Sequence, residues 1–188
     1  MMQIVRSTAI FLALFGWAFG EDRKSSYEVS EVYEGLRQQA LNVKSEEAGS
    51  FSGKPVWAVL MESGHSQAAV TLVAVGDSGS SLYFSSGGGI IGAAGLENVP
   101  VASSDFVKLA GTCLHDMKKT EEFPIVKPDY TTFYVLTDKG VFTYTAKTDD
   151  LGENRDKLSK LFHQGHHLIS QIRIATERRE AEKNKKPN

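Results

Sequence analysis

The sequence predicts an α+β fold: a five-stranded antiparallel sheet, made of a three-strand meander plus a hairpin, with about three helices packed on it. Apolar runs at 56–61, 68–75 and 81–85 are separated by polar segments of turn length, and such short connections join neighbouring strands antiparallel. Two later runs rich in β-branched and aromatic residues, 132–137 and 141–145, flank Asp138-Lys139-Gly140, a hairpin turn. Helical periodicity lies before, between and after these groups without alternating strand for helix, which separates the pattern from a parallel α/β sheet.

Residues 1–20 read as a secretory signal. Arg6 precedes the apolar run Ala9 to Phe19, Ala18-Phe19-Gly20 places small residues two apart, and Glu21-Asp22-Arg23-Lys24 turns abruptly polar. The apolar run is shorter than the ~20 residues a bilayer span needs. An N-terminal helix apolar on every face and an uncleaved anchor are the alternatives. Residues 21–177 then form one domain, long enough to bury about 70% of its unfolded surface without staples. Residues 178–188 form a charged tail.

Ser25-Ser26-Tyr27-Glu28 offers a capping box. Val29, Val32, Tyr33, Leu36, Ala40 and Val43 recur at helical spacing, which predicts a helix over 27–43. A polar connection covers 44–54, and the first strand is closed by Glu62-Ser63-Gly64-His65-Ser66. After the third strand comes Ser86-Gly87-Gly88-Gly89-Ile90-Ile91-Gly92-Ala93-Ala94-Gly95. Ser103-Ser104-Asp105 caps a second helix running to about Lys119, with Phe106, Leu109, Ala110, Cys113 and Met117 as its apolar stripe. Pro124 and Pro128 mark a loop, and a third helix covers about 154–177.

The composition, 41% hydrophobic and 23% charged with a net charge of −2, is that of an ordinary globular protein. It lacks the basic excess that attracts nucleic acid. A single cysteine, Cys113, excludes an internal disulfide. It belongs to the apolar stripe, as a small core residue does.

Three constellations are candidates for chemistry. Gly87-x-Gly89-x-x-Gly92 matches a dinucleotide fingerprint after a strand, with Gly88 between. That fingerprint requires a helix to begin inside it, so that helix amides meet the pyrophosphate. Here Pro100 and Ser103-Ser104 place the helix about ten residues later, and a tightly packed strand end is the ordinary explanation. His163 and His167, one helical turn apart with His166 between, have the spacing of a chelating pair. They lie opposite the stripe of Leu158, Leu161, Phe162, Leu168, Ile169 and Ile172, as residues of a solvated face do. Glu62, His65 and Ser86, at neighbouring strand ends, supply a carboxylate, an imidazole and a hydroxyl, the groups of acid–base or acyl-transfer work. No nucleophile-elbow motif accompanies them.

The order of three strands, helix, two strands and helix resembles the longin and profilin-like folds, which include the roadblock modules. The segments 56–62, 81–92 and 133–137 resemble an uncharacterised bacterial protein family, over about 55–150. The resemblance implies a shared fold and carries no chemistry.

These residues favour an exported, secreted or periplasmic, non-enzymatic module that binds a protein partner or itself, without cofactor, metal, nucleic acid or a membrane span after signal removal. The alternative is a small hydrolase or ligand-binding protein using the glycine-rich loop 86–95 with Glu62 and His65. N-terminal sequencing of the natively produced protein is expected to begin at or near Glu21; an intact Met1 in a soluble cytoplasmic pool would overturn this expectation.

Overall fold

The computed structural model describes residues 27–185, so residues 1–20, expected to be a secretory signal, lie outside the described residues. Seven strands form one antiparallel sheet: β1 Val56–Gly64, β2 Ala69–Val75, β3 Gly79–Phe84, β4 Gly89–Ile90, β5 Lys118–Thr120, β6 Tyr130–Thr137 and β7 Gly140–Lys147. Their spatial order is β4-β3-β2-β1-β6-β7-β5. The meander and the hairpin form as expected, and β1 joins them, with Leu60 opposite both Val73 and Tyr134. The sheet has seven strands where five were expected. The added strands, β4 and β5, are two and three residues long, too short to display a period of two.

Among the described residues four α-helices accompany the sheet: α1 Glu31–Leu41, α2 Val99–Thr112, α3 Thr148–Gly152 and α4 Ser159–Lys185. Side chains alternate across each strand, so the sheet has two apolar faces. Val59 and Met61 of β1, Leu72 and Ala74 of β2, and Phe133 and Val135 of β6 face the larger core with α2 and α4. Ala58, Leu60, Val73, Tyr134 and Leu136 face the opposite way, against Tyr33, Ala40 and Leu41 of α1. Covering on both faces explains why the strands read as near-continuous apolar runs.

Several boundaries differ from the sequence reading. The helix expected over 27–43 begins at Glu31, where the Ser30 hydroxyl accepts the Tyr33 amide at 3.2 Å. Its buried face is Tyr33, Arg37, Ala40 and Leu41, while Val32 is 66% exposed. β1 runs through Gly64, so Glu62 lies within a strand and not in the following turn. α2 starts at Val99, four residues earlier than Ser103, because Pro100 stands at a first-turn position whose amide needs no partner. It ends at Thr112, with a 3₁₀ turn at Leu114–Asp116 before β5, so Met117 is buried from outside the helix. The last helical region is split: Asn154, at φ +58°, separates α3 from α4. α4 continues through 178–185, where a charged tail was expected.

Close approaches fix the layers. A Cβ on Gly165 of α4 would lie 2.7 Å from the Met61 sulfur and 3.3 Å from the Phe106 ring, so glycine lets α4 settle onto β1 and α2. The glycine-rich segment forms the β3–β4 hairpin. The Gly87 amide donates to the Phe84 carbonyl at 2.9 Å, and the Phe84 amide donates to the Gly88 carbonyl at 3.2 Å. Gly88 has φ +82° with open space around it. Gly89 has φ +151°, and a Cβ there would lie 2.2 Å from the Leu82 carbonyl oxygen.

Backbone strain and collision therefore act at different positions. Gly88→Ala is expected to cost about 1 kcal/mol through its left-handed conformation alone. Gly89→Ala, which must also displace the β3 backbone, is expected to cost about 2 kcal/mol or more. Urea denaturation of the two variants checks the order, and nucleotides are expected to leave the wild-type midpoint unchanged.

Candidate functional site

The chemistry-bearing groups inside the protein gather between α1 and the sheet. Glu62 is fully buried on the α1 face of β1, and Arg37 reaches it from one turn beyond Tyr33. The Arg37 Nε donates to Oε1 at 2.6 Å and Nη2 donates to Oε2 at 3.0 Å. Two further guanidinium donors meet the carbonyl oxygens of Phe123, at 3.0 Å, and Pro124, at 3.2 Å. Tyr134 stacks its ring 5.7 Å from the guanidinium and donates its hydroxyl to the same Pro124 carbonyl at 3.0 Å. Tyr33 and Thr71 share a hydrogen bond of 2.8 Å, and Thr71 stands opposite Glu62 in the β1–β2 register.

Burial pushes the Glu62 carboxyl above its ordinary value, while hydrogen bonds from Arg37, the positive charge of Arg37 and the Thr71 hydroxyl pull it back. Burial alone would lower Arg37; Glu62 reverses this and holds the guanidinium above its ordinary value. Burial, then the charge of Glu62, raises Tyr33 to about 12, and the same two causes in the same order raise Tyr134. Glu62 is fully buried, and each of its carboxylate oxygens accepts a hydrogen bond from Arg37.

The other sequence candidates lie elsewhere. His65 is exposed in the β1–β2 turn, where its amide donates to the Ala68 carbonyl at 2.9 Å. Ser86 is exposed in the β3–β4 turn, whereas its neighbour Ser85 is buried and accepts the Ala69 amide at 2.9 Å. Among the described residues no hydrogen bond joins Glu62, His65 and Ser86. Gly87, Gly88 and Gly89 shape a hairpin, and Gly92, at φ +71° and seven residues before the first residue of α2, precedes the 3₁₀ turn Ala93–Gly95. His163 and His167 are exposed on α4, and the His163 Nε2 lies 3.1 Å from the Asn154 side-chain oxygen. Among the described residues no group of three or more His, Cys, Asp or Glu side chains is placed to hold a metal ion. Burial pushes the Cys113 thiol up, against its Thr112 hydrogen bond. No described helix is long and apolar enough to cross a membrane.

Arg37 was not singled out by the sequence reading, although a signal existed: a charge at position i+4 from Tyr33, inside an apolar stripe, implies a buried partner. Also missed was a groove of about 490 Å³ between α2 and the connection leading into β1. Phe51, Val56, Val107 and Leu114 give it apolar walls, and Lys54 and Lys108 stand on opposite sides.

No protein-family model, curated protein or solved structure matches this chain.

The buried pair predicts an asymmetric response to mutation. Arg37→Met or Glu62→Gln alone is expected to cost about 3–5 kcal/mol, while Arg37→Met/Glu62→Leu recovers most of the loss. In Arg37→Met only the Thr71 hydroxyl still opposes the burial of Glu62, so its folded-state pKa rises further above the unfolded value of 4.5. The protonated carboxyl then favours folding fully below that unfolded value, and this contribution is lost as pH rises through the folded pKa. Denaturant titrations are expected to show this variant losing stability as pH rises from 4.5, a trend absent from Arg37→Met/Glu62→Leu.

Proposed function

We propose that this chain is an exported, non-enzymatic α+β module of longin/profilin-like element order that acts by binding a protein partner or a second copy of itself. The observation that carries this reading is the engagement of Glu62: the only carboxylate among the sequence's catalytic candidates is buried and bidentate with Arg37, away from His65 and Ser86. Export rests on the pattern of residues 1–20.

The surface supports binding through side chains in preference to strand addition. β4 covers one sheet edge with two residues, and β5 places Lys118 and Lys119 on the other; short, lysine-bearing edge strands discourage pairing with another chain. Exposed large apolar residues occur where α2 begins and α4 leaves the body. Val101 is 63% exposed in the first turn of α2, Ile91 is 64% exposed just beyond β4, and Ile174 of α4 is 42% exposed. An ion pair of 2.6 Å between Glu97 and Arg178 ties the α4 turn after Ile174 to the connection entering α2.

Light scattering and cross-linking of the natively processed protein test this proposal. A homodimer, or a complex of fixed stoichiometry, is expected, and Ile91→Asp/Ile174→Asp is expected to lower its affinity by at least about tenfold with the thermal midpoint unchanged. A monomer at all concentrations with no such complex would overturn the partner reading. Loss of a hydrolytic activity in His65→Ala or Ser86→Ala would replace it with the enzymatic alternative.

A further inference from the structure

We propose that the groove along α2 is a binding site for an amphiphilic monocarboxylate, with the apolar tail lying over Phe51 and Val107 and the carboxylate held between Lys54 and Lys108. The proposal is independent of the protein-binding surface and rests on how α2 presents two different stripes.

Val99, Ala102, Phe106, Val107 and Ala110 of α2 face the main core, and the fully buried Val107 also forms the floor of the groove beside it. Ser104, Val107, Lys108 and Gly111, with Leu114 one turn on, share a second stripe at spacings of three and four and line the groove. The opposite wall is the connection carrying Ser50, Phe51, Lys54, Pro55 and Val56. That connection is fixed in place: the Ser50 amide and hydroxyl both donate to Asp77, at 3.0 and 2.7 Å. The Ser103 hydroxyl donates to the Gly76 carbonyl at 2.6 Å, tying α2 to the β2–β3 turn beneath. The groove is thus preformed, and about 490 Å³ lies within the range of small-molecule sites.

Gly111 is the second observation. Glycine in a helix is less stable than alanine, and neither conformation nor packing requires it here. Its φ is not positive, and a Cβ would meet only Val56, at 3.6 Å, an ordinary contact. What glycine leaves at this position is space in the groove.

Charge selects the class of ligand. Lys54 is exposed; its amide donates to the Phe51 carbonyl at 2.9 Å, and its ammonium has no ion-pair or hydrogen-bond partner among the described residues. Lys108 pairs with Asp105 at 3.8 Å, both side chains more than half exposed, and its charge also reaches Asp77 and helps to lower that carboxyl. The remaining nearby acid, Asp77, is held by Ser50 and lies outside the lining. Two ammonium groups on opposite sides of an apolar trough match one anionic head on an apolar chain.

Isothermal titration of the natively processed protein with decanoate, below its micelle-forming concentration, tests the proposal. Saturable binding at one site is expected, weakening as salt is added. Decyltrimethylammonium, with the same chain and the opposite charge, and acetate, with the same head and no chain, are expected not to bind. Lys54→Gln/Lys108→Gln is expected to lower the affinity about tenfold or more. Gly111→Leu is expected to abolish binding while leaving the ligand-free thermal midpoint within a few degrees of wild type. Amide shift mapping on the unmutated protein guards against a variant that fails to fold, with decanoate shifts expected within 50–56 and 104–114. No saturable heat, equal binding of the ammonium amphiphile, or shifts centred on the glycine hairpin or α1 would overturn the assignment.

Discussion

The constraint on which the architecture depends is the need to match one buried carboxylate. An ionised group without a partner in an apolar interior is costly, and one opposing charge repays that cost only when the remaining polar atoms are also satisfied. Arg37 meets this requirement with a bidentate contact to Glu62 and two further bonds to backbone carbonyls at 123 and 124. Three parts of the chain are thereby fixed relative to one another: the helix before the sheet, the central strand, and the loop that carries the chain from β5 to β6. The apolar contacts of α1 contribute area, but the guanidinium sets where along the sheet the helix lies. Arginine suits this role because its donors form a rigid planar fork. Lysine at position 37 would offer one nitrogen to a carboxylate and two carbonyls spread across a strand and a loop.

The fold was legible in the sequence where burial wrote a strong pattern and illegible where hydrogen bonding alone made the structure. The runs at 56–61, 68–75, 132–137 and 141–145 carry enough apolar and β-branched residues to show both their existence and their antiparallel pairing. β4 and β5 consist of Gly89-Ile90 and Lys118-Lys119-Thr120; neither buries a face, so nothing in their composition distinguishes them from loop. Pro100 misdirected the start of α2, since the residue that ends helices is also welcome in their first turn. The choice of Val32 over Arg37 as a helix contact followed from ranking residues by hydrophobicity, which ignores a charge whose partner lies 25 positions away.

The same contrast holds for the sites. Glu62 was recognisable as unusual, a carboxylate at the end of an apolar strand, but its partner determines whether it reacts or supports. The three glycines at 87–89 were recognisable as a backbone requirement, and the hairpin shows which of them need open φ and which need empty space. The groove left no motif: its lining is drawn from 50–56 and 104–114, segments that meet only after the sheet has placed them. Ordinary residues such as Lys54 and Gly111 acquire meaning from that meeting alone.

The position of α1 in the chain has a consequence for how the molecule comes into being. The helix is near the N-terminal end of the described chain, yet its seat is assembled from residues far downstream, with Thr71 38 positions from Tyr33 and the 123 and 124 carbonyls 86 and 87 positions from Arg37. Eleven residues are too few to hold a helix by themselves in water. A nascent chain therefore presents this segment as coil until β1, β2 and β6 have closed on one another. Loop closure over such separations is slow compared with forming a local hairpin. The first helix in the described sequence is accordingly the last to be seated, and it stays uncommitted until the sheet that receives it exists.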